Sequence, residues 1–202
     1  MITDIYYVIP EIFISLSLMF LLLLGVFKKN GTSIVYSLSL LILIISIPLI
    51  LNVPSNDELL VFNKSYKIDY LSSFVKILIV ISTLFVLLTS SQYIKSIKIY
   101  NIEYPILILS SILGMMVMVS SNDLIVFYIG LELQSLALYV LASFNRDNVL
   151  SSESGLKYFV LSALSSGLLL YGCSLIYGFT GTTNFDLIAN NLNSDNYVLT
   201  FG

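Results

Sequence analysis

The sequence has no histidine, no tryptophan and a single cysteine, Cys173, in 202 residues. Without histidine, the chain has no imidazole to bind a metal or shuttle a proton, and it cannot form a Ser-His-Asp triad. One cysteine excludes an internal disulfide and a CxxC zinc or redox motif. No glycine-rich phosphate loop precedes a helix. We therefore expect no cofactor and no metal site in this chain.

Charged residues are also scarce, at 10% of the chain, and the formal net charge is −3. Globular domains usually contain about 25% charged residues. Hydrophobic residues make up 57% of the sequence, and its mean hydropathy is +0.96. A soluble domain with this composition would expose too much apolar surface, and no basic stripe is present to bind nucleic acid. The composition predicts a helical membrane protein whose surface contacts lipid.

Repeated apolar runs near 20 residues predict an all-α, polytopic transmembrane helix bundle that forms one domain over 1–202. About six spans are expected, at about 7–27, 33–53, 70–91, 104–121, 123–144 and 153–178. Pro48 predicts a kink in the second span, and "LLVF" in the following loop predicts a short strand or an interfacial segment. The N-terminus lacks the basic region of a signal peptide, so the first run is expected to stay as a transmembrane helix. Residues 179–202 are interpreted as a polar tail.

The distribution of basic residues between the loops predicts the orientation. The loops after the first, third and fifth spans contain Lys28, Lys29, Lys95, Lys98 and Arg146. The opposite side has only Lys64 and Lys67. This asymmetry predicts that the N-terminus and the tail face the outer side of the membrane.

Glu132 lies in the apolar stretch "YIGLELQSLALY" at 128–139. It is about nine residues into its predicted span, or roughly 13 Å deep at 1.5 Å per residue. Tyr128, Ser135 and Tyr139 share its helical face, and their hydroxyls can hydrogen-bond a carboxylate. An ionisable residue at this depth usually marks an ion path or a proton relay. The pattern favours a proton relay; the alternative is a structural carboxylate paired with a neighbouring helix.

Lys157 lies near the start of the sixth predicted span, four residues after Glu153, which can pair with it on the same face. A second interpretation is a lysine that snorkels to the interface. Small residues such as Gly155, Ser162 and Gly167 permit close helix packing, which would bury the lysine. The sequence therefore predicts Lys157 as a candidate relay residue and as one possible partner of Glu132.

Lys76 is a weaker candidate in the third predicted span. Asp69 lies seven residues earlier on the same helical face. Snorkelling or a surface ion pair explains Lys76 as well as a functional role does. Lys76 and Asp69 are kept as weak site residues.

The residues at 130–186, in which "LELQSL" is followed by "ESGLKYF", resemble the NADH-quinone oxidoreductase subunit N family. This family includes the mitochondrial NADH dehydrogenase subunit two. "PEIF" at 10–13 and "KIDYLSSFVKILIVIS" at 67–82 are similar to the same family. The resemblance extends along essentially the whole chain.

The resemblance implies an antiporter-like membrane subunit of respiratory complex I, which contributes to proton translocation driven by quinone reduction elsewhere in the complex. Glu132 would match the fifth-helix carboxylate of a charged mid-membrane axis, and Lys157 would match the sixth-helix lysine. NADH, FMN, iron–sulfur clusters and quinone would be bound by other subunits. The location would be the mitochondrial inner membrane or the bacterial cytoplasmic membrane, with the N-terminus on the intermembrane-space or periplasmic side.

The chain departs from this family in length. Family members have about fourteen helices, and this sequence ends where a broken seventh helix with a central lysine would begin. The partners implied are therefore other membrane-arm subunits of complex I and a second chain that supplies the remaining helices. Two alternatives stay open: a subunit of a multi-subunit cation/proton antiporter, and a non-transporting assembly scaffold or gene fragment.

Overall fold

The computed structural model describes residues 2–27, 31–54, 58–96 and 101–191. The predicted topology residues Lys28, Lys29 and Lys98 and the last part of the predicted tail lie outside these ranges. The helices are α1 (Ile2–Tyr7), α2 (Ile9–Phe27), α3 (Gly31–Leu51), α4 (Tyr70–Ser96), α5 (Glu103–Val119), α6 (Leu124–Ala142), α7 (Val149–Thr180) and α8 (Phe185–Asn191). Strands β1 (Leu59–Val61) and β2 (Tyr66–Ile68) form an antiparallel hairpin between α3 and α4.

The described helices include five that are long and apolar enough to cross a membrane: α2, α3, α4, α6 and α7. The apolar helix α5 has 17 residues, or about 25 Å at 1.5 Å per residue. Together they confirm the predicted transmembrane helix bundle. Pro48, where the sequence predicts a kink, lies inside α3, which continues to Leu51. The first three residues of "LLVF" form β1, and part of the predicted tail forms α8.

Helices α2 to α5 are packed differently from α7. The core of α2 to α5 is closed by fully buried aliphatic side chains, which include Ile14, Leu21, Leu43, Leu87, Leu109 and Ile112. Helix α6 packs on α5, and α7 packs mainly on α6. Within α7, Gly155 is the one buried residue. The chain is therefore a packed bundle with one long helix along its edge.

Two glycines set the position of α6 against α5. A Cβ atom added at Gly114 would lie 2.5 Å from the backbone nitrogen of Gln134. One added at Gly130 would lie 2.8 Å from the backbone nitrogen of Met118. Small residues of this kind let helix backbones approach closely in membranes. Because Gly130 is two residues from Glu132, this contact also fixes the height of the carboxylate in the bundle.

A polar layer closes the hairpin end of the bundle. The backbone N–H of Lys67 donates to the carbonyl of Ser120 at 2.8 Å, and the N–H of Asn122 donates to the carbonyl of Ser65 at 2.9 Å. The side-chain amides of Asn122 and Asn184 both donate to the carbonyl of Lys64, at 3.0 and 2.9 Å. The hairpin, the α5–α6 turn and the α7–α8 link are thereby joined.

Candidate functional site

Glu132 lies in the middle of α6 and is half-buried. Its Oε1 atom is buried and has no hydrogen-bond partner among the described residues. Leaving a buried charged acceptor unsatisfied costs about 1–3 kcal/mol or more. A proton bound at this oxygen would remove the charge and with it most of that cost. One oxygen of Glu132 is therefore open to a donor from outside the described residues, such as a water molecule or a group of another chain.

The three hydroxyl residues on the face of Glu132 lie along the α6–α7 interface. The hydroxyl of Ser135 donates to the carbonyls of Leu131 and Glu132, at 2.8 and 3.1 Å, so it bonds backbone and not the carboxylate. The ring of Tyr139 is buried and packs edge-on against Tyr158, with ring centres 4.9 Å apart. Tyr128 lines a mostly apolar cavity of about 220 Å³.

A second cavity, of about 390 Å³, lies between α6 and α7 and is lined by many hydroxyl groups. Its polar lining consists of Gln134, Ser135, Tyr139, Tyr158, Ser162, Ser165 and Ser166. We call it the hydroxyl-lined cleft. A cavity of this size with several hydrogen-bonding groups can hold water molecules. Two of the predicted hydroxyl residues, Ser135 and Tyr139, therefore line this cleft, which lies beside the helix that carries Glu132.

Lys157 does not meet Glu132 in this structure. Its Nζ atom lies 2.5 Å from Oε1 of Glu153, one turn away on α7, and the two side chains are 67% and 51% exposed. The close packing expected around this lysine is not found. Gly155 does approach α6 closely, but an added Cβ at Gly167 would have nothing within 4 Å. The reason is that α7 lies at the edge of the bundle and touches it along one side.

Asp69 caps α4 and is not the partner of Lys76. The backbone N–H of Ser72 donates to Oδ1 of Asp69 at 2.7 Å, and the N–H of Asp69 donates to the hydroxyl of Ser72 at 3.0 Å. This reciprocal pattern satisfies amides at a helix start. The structure therefore does not bring these two weak candidates together: Oδ1 of Asp69 accepts from the backbone of Ser72, and its Oδ2 lies 3.9 Å from Nζ of Lys67.

Lys76 instead forms a buried ion pair with Glu11, a residue that sequence reasoning missed. Its Nζ atom lies 2.5 Å from Oε1 of Glu11, and the side chains are 5% and 4% exposed. The hydroxyl of Tyr66 donates to the same oxygen at 2.7 Å. Glu11 lies in "PEIF", in the first turn of α2, where an acidic residue is ordinary. The sequence signal for this pair was Lys76 itself, a lysine inside an apolar span with no acidic partner in its own helix. Its partner lies on a helix that is distant in sequence.

Comparison with known proteins gives the family. A family model described as "NADH:quinone oxidoreductase/Mrp antiporter, TM" matches residues 121–202. The NADH-quinone oxidoreductase subunit N of Pelagibacter ubique is 66% identical over 196 residues, which are 97% of this chain and 42% of that protein. The subunit N of Maricaulis maris is 48% identical over 92% of this chain and 39% of its own length.

Three solved structures share the fold, at identities too low to indicate more. A chain of respiratory complex I from Thermus thermophilus has a TM-score of 0.74 at 24% identity, with 96% of this chain and 42% of that chain covered. A chain of an archaeal membrane-bound sulfane sulfur reductase has a TM-score of 0.78 at 20% identity. The match covers 97% of this chain and 42% of that chain. A chain of the Mrp complex from Dietzia has a TM-score of 0.70 at 19% identity. The match covers 98% of this chain and 39% of that chain.

The chain spans about two fifths of the length of the curated relatives that it matches. The resemblance seen in the sequence is confirmed by these relatives. The membrane bundle agrees with the antiporter-like fold of the matched solved chains. On this evidence the chain belongs to the NADH-quinone oxidoreductase subunit N family, and it corresponds to the N-terminal part of its relatives.

Proposed function

We propose that this chain is part of a proton-translocating membrane-arm subunit of NADH:quinone oxidoreductase, respiratory complex I. The observation that carries the proposal is the 66% identity to a subunit N over 97% of the chain. The fold alone does not choose between complex I and a cation/proton antiporter, because chains of both kinds of complex match with TM-scores of 0.74 and 0.70. The curated relatives reported above carry the subunit N name, which favours complex I.

The proposal makes Glu132 the centre of a proton relay. Its support is the buried, unpaired Oε1 in an apolar membrane helix. Tyr128, Ser135 and Tyr139 have supporting roles, since Ser135 and Tyr139 line the hydroxyl-lined cleft along the same helix. Lys157 and Glu153 are included as more distant relay residues on the exposed side of α7.

The partners and cofactors of the proposal lie in other chains. Other membrane-arm subunits are expected beside this one, and a second chain supplying further helices would cover the many exposed apolar residues of α7. NADH, FMN, iron–sulfur clusters and quinone would be bound by other subunits. Among the described residues, no group of three or more His, Cys, Asp or Glu side chains is placed to hold a metal.

The chain is an integral membrane protein, and we propose that its N-terminus faces the periplasm or the intermembrane space. Two basic residues of the predicted inner side, Lys95 and Arg146, lie at the end of the bundle opposite the hairpin. Lys64 and Lys67 lie at the hairpin end. The predicted inner loops contain five basic residues in the sequence, and the hairpin side contains two. The positive-inside rule then gives the proposed orientation.

The function class is tested by purifying the tagged chain with its native assembly from membranes. Complex I membership predicts that NADH-dependent quinone reduction co-purifies with the tag. It also predicts that proton uptake in reconstituted vesicles requires NADH and quinone. Cation-driven proton exchange without NADH, in a preparation that lacks quinone reductase activity, would instead establish the antiporter.

The role of Glu132 is tested by Glu132→Gln, which keeps the shape of the side chain and removes its charge. We expect normal assembly, because no described residue pairs with this carboxylate, and a lower number of protons translocated per NADH oxidised. Glu103→Gln is the matched control, because this carboxylate lies in an exposed pair with Arg146 and has no place in the proposed relay. Loss of assembly with normal pumping in the residual complex would contradict the relay and support a scaffold.

A further inference from the structure

Three polar side chains meet near the hairpin end of the bundle, on elements other than the helix of Glu132. Glu11 comes from α2, Tyr66 from β2 and Lys76 from α4. The Nζ atom of Lys76 lies 2.5 Å from Oε1 of Glu11, and the hydroxyl of Tyr66 donates to that oxygen at 2.7 Å. Lys76 also donates to the hydroxyl oxygen of Tyr66 at 3.4 Å. A donor, a donor–acceptor and an acceptor therefore form a closed ring.

The ring is shielded by apolar residues of the hairpin. Tyr66 belongs to a buried cluster with Val53, Val61 and Ile68. Glu11 and Lys76 are both buried, so the charges lie in an environment of low dielectric constant. A buried ion pair of this kind rarely stabilises a fold more than a packed apolar pair would. Ionisable residues kept inside a membrane protein usually serve a function.

Several of the other charged groups around this ring have partners of their own. Helix α3 has no charged residue. Glu103, at the far end of α5, pairs with Arg146, and Glu58 pairs with Lys67. The charged residues on the elements that form or surround the ring are Asp4 of α1, Glu58, Lys64, Lys67 and Asp69 of the hairpin segment, Lys95 of α4, Glu103 of α5, and Asp123 and Glu132 of α6.

One oxygen of the ring stands apart from the others. Oε2 of Glu11 is buried and has no hydrogen-bond partner among the described residues, while Oε1 accepts from both Lys76 and Tyr66. A carboxylate with one fully engaged and one unengaged oxygen is poorly satisfied as an anion. Oε2 therefore has room for one further donor, such as a water molecule or a proton.

We propose that Glu11, Lys76 and Tyr66 form a second protonatable site, in which the Tyr66 hydroxyl relays a proton between the amine and the carboxylate. An N–H bond of Lys76 breaks and its proton binds the hydroxyl oxygen of Tyr66. At the same time, the O–H bond of Tyr66 breaks and that proton binds Oε1 of Glu11. The ion pair becomes a neutral amine and a neutral carboxylic acid. The neutral amine then takes up one further proton from water, so the site holds one proton more than the ion pair.

Tyr66 can pass a proton from Lys76 to Glu11, but it does not act as the source of that proton. Burial raises the pKa of its phenol well above the usual value, and the negative charge of Glu11 raises the pKa further. The hydroxyl therefore stays protonated at neutral pH, where it both donates and accepts. Each transfer leaves the tyrosine with the same number of protons that it had before.

The test is infrared difference spectroscopy of the native assembly in membranes, recorded in H2O and in D2O while the pH is stepped. We expect a carboxylic-acid carbonyl band that changes with pH, shifts on deuteration and is completely lost in Glu11→Gln. Glu103→Gln is the matched control, because it removes a carboxylate from an exposed pair, and it should keep the band. A pH-dependent carbonyl spectrum that is the same in Glu11→Gln as in the unaltered protein would overturn the proposal, and Glu132→Gln identifies any band that belongs to Glu132.

Tyr66→Phe keeps the proposal testable if Glu11→Gln does not accumulate. This substitution keeps the ring and removes the hydroxyl that donates to Oε1. The Glu11 band is expected to shift in frequency and to respond more slowly to a pH step. An unchanged frequency and rate would overturn the relay through Tyr66. NADH-driven pumping is not measured in either experiment, so these results are separate from those that test the proposed function.

Discussion

Two lysine–glutamate pairs in this chain have the same contact distance and opposite surroundings. In both pairs Nζ lies 2.5 Å from Oε1. Lys76 and Glu11 are buried between helices and the hairpin, whereas Lys157 and Glu153 lie on the exposed side of one helix. Exposed pairs contribute about 0–1 kcal/mol, but removing one partner from a buried pair costs about 3–5 kcal/mol. The surroundings therefore determine what each pair contributes, and the distance does not.

Glu132 adds a third case to this comparison. Glu132 is half-buried, so it differs from both the buried pair and the exposed pair. Its buried Oε1 atom has no hydrogen-bond partner among the described residues. No contact in the described part of the chain satisfies this oxygen, whereas Oε1 of Glu11 and Oε1 of Glu153 each lie 2.5 Å from a lysine Nζ. Under the two proposals, Glu11 holds a proton near the hairpin and Glu132 transfers one in the membrane, while the exposed pair of Glu153 contributes little to the free energy of unfolding.

The largest effect is expected from Lys76→Ala, which leaves the charge of Glu11 buried without a counter-charge. The free energy of unfolding should fall by about 3–5 kcal/mol. Unfolding of the purified assembly in increasing denaturant measures this loss. The double variant Glu11→Gln with Lys76→Met removes both charges and should recover most of the stability. Equal losses in the single and double variants would contradict an ion-pair effect.

An intermediate effect is expected where α5 and α6 touch. Gly114→Ala places a methyl group 2.5 Å from the backbone of Gln134, and overpacking of this kind costs about 1–3 kcal/mol. Gly167→Ala is the matched control, since nothing lies within 4 Å of its added methyl group. Alanine in that helix should be neutral or stabilising by up to about 1 kcal/mol. Thermal unfolding of both variants gives the comparison, and equal losses would contradict the close contact.

The smallest effect is expected from Lys157→Ala. The free energy of unfolding should change by less than about 1 kcal/mol, because the pair it breaks is exposed. Proton translocation should fall less than it does in Glu132→Gln. Unchanged translocation would remove Lys157 from the relay, whereas a loss as large as that of Glu132→Gln would show that a partner covers α7 and draws the lysine into the path.

The membrane bundle could be predicted because its signal is local. Apolar runs give the helices directly, and strand β1 lies in "LLVF", where the sequence predicts a short strand or an interfacial segment. The Glu132 position could be predicted for the same reason, since depth and helical face depend on one segment alone. Sequence identity with the subunit N relatives then gives the family.

The ion pairs could not be predicted, because a pairing depends on which helices are neighbours in space. Glu11 and Lys76 are 65 positions apart, and no periodicity links them. Lys157 looked buried because small residues surround it in sequence, but those residues line a helix at the edge of the bundle. The helical face of Glu132 indicates which hydroxyls lie near it but not what they bond, and Ser135 donates to backbone carbonyls of its own helix.

Two double-mutant cycles test most directly whether burial separates the two lysine–glutamate pairs. One cycle combines Glu11→Gln with Lys76→Met, and the other combines Glu153→Gln with Lys157→Met, each measured as the free energy of unfolding. We predict a coupling energy of about 3 kcal/mol or more for the buried pair and below about 1 kcal/mol for the exposed pair. Equal coupling energies in the two cycles would contradict this account.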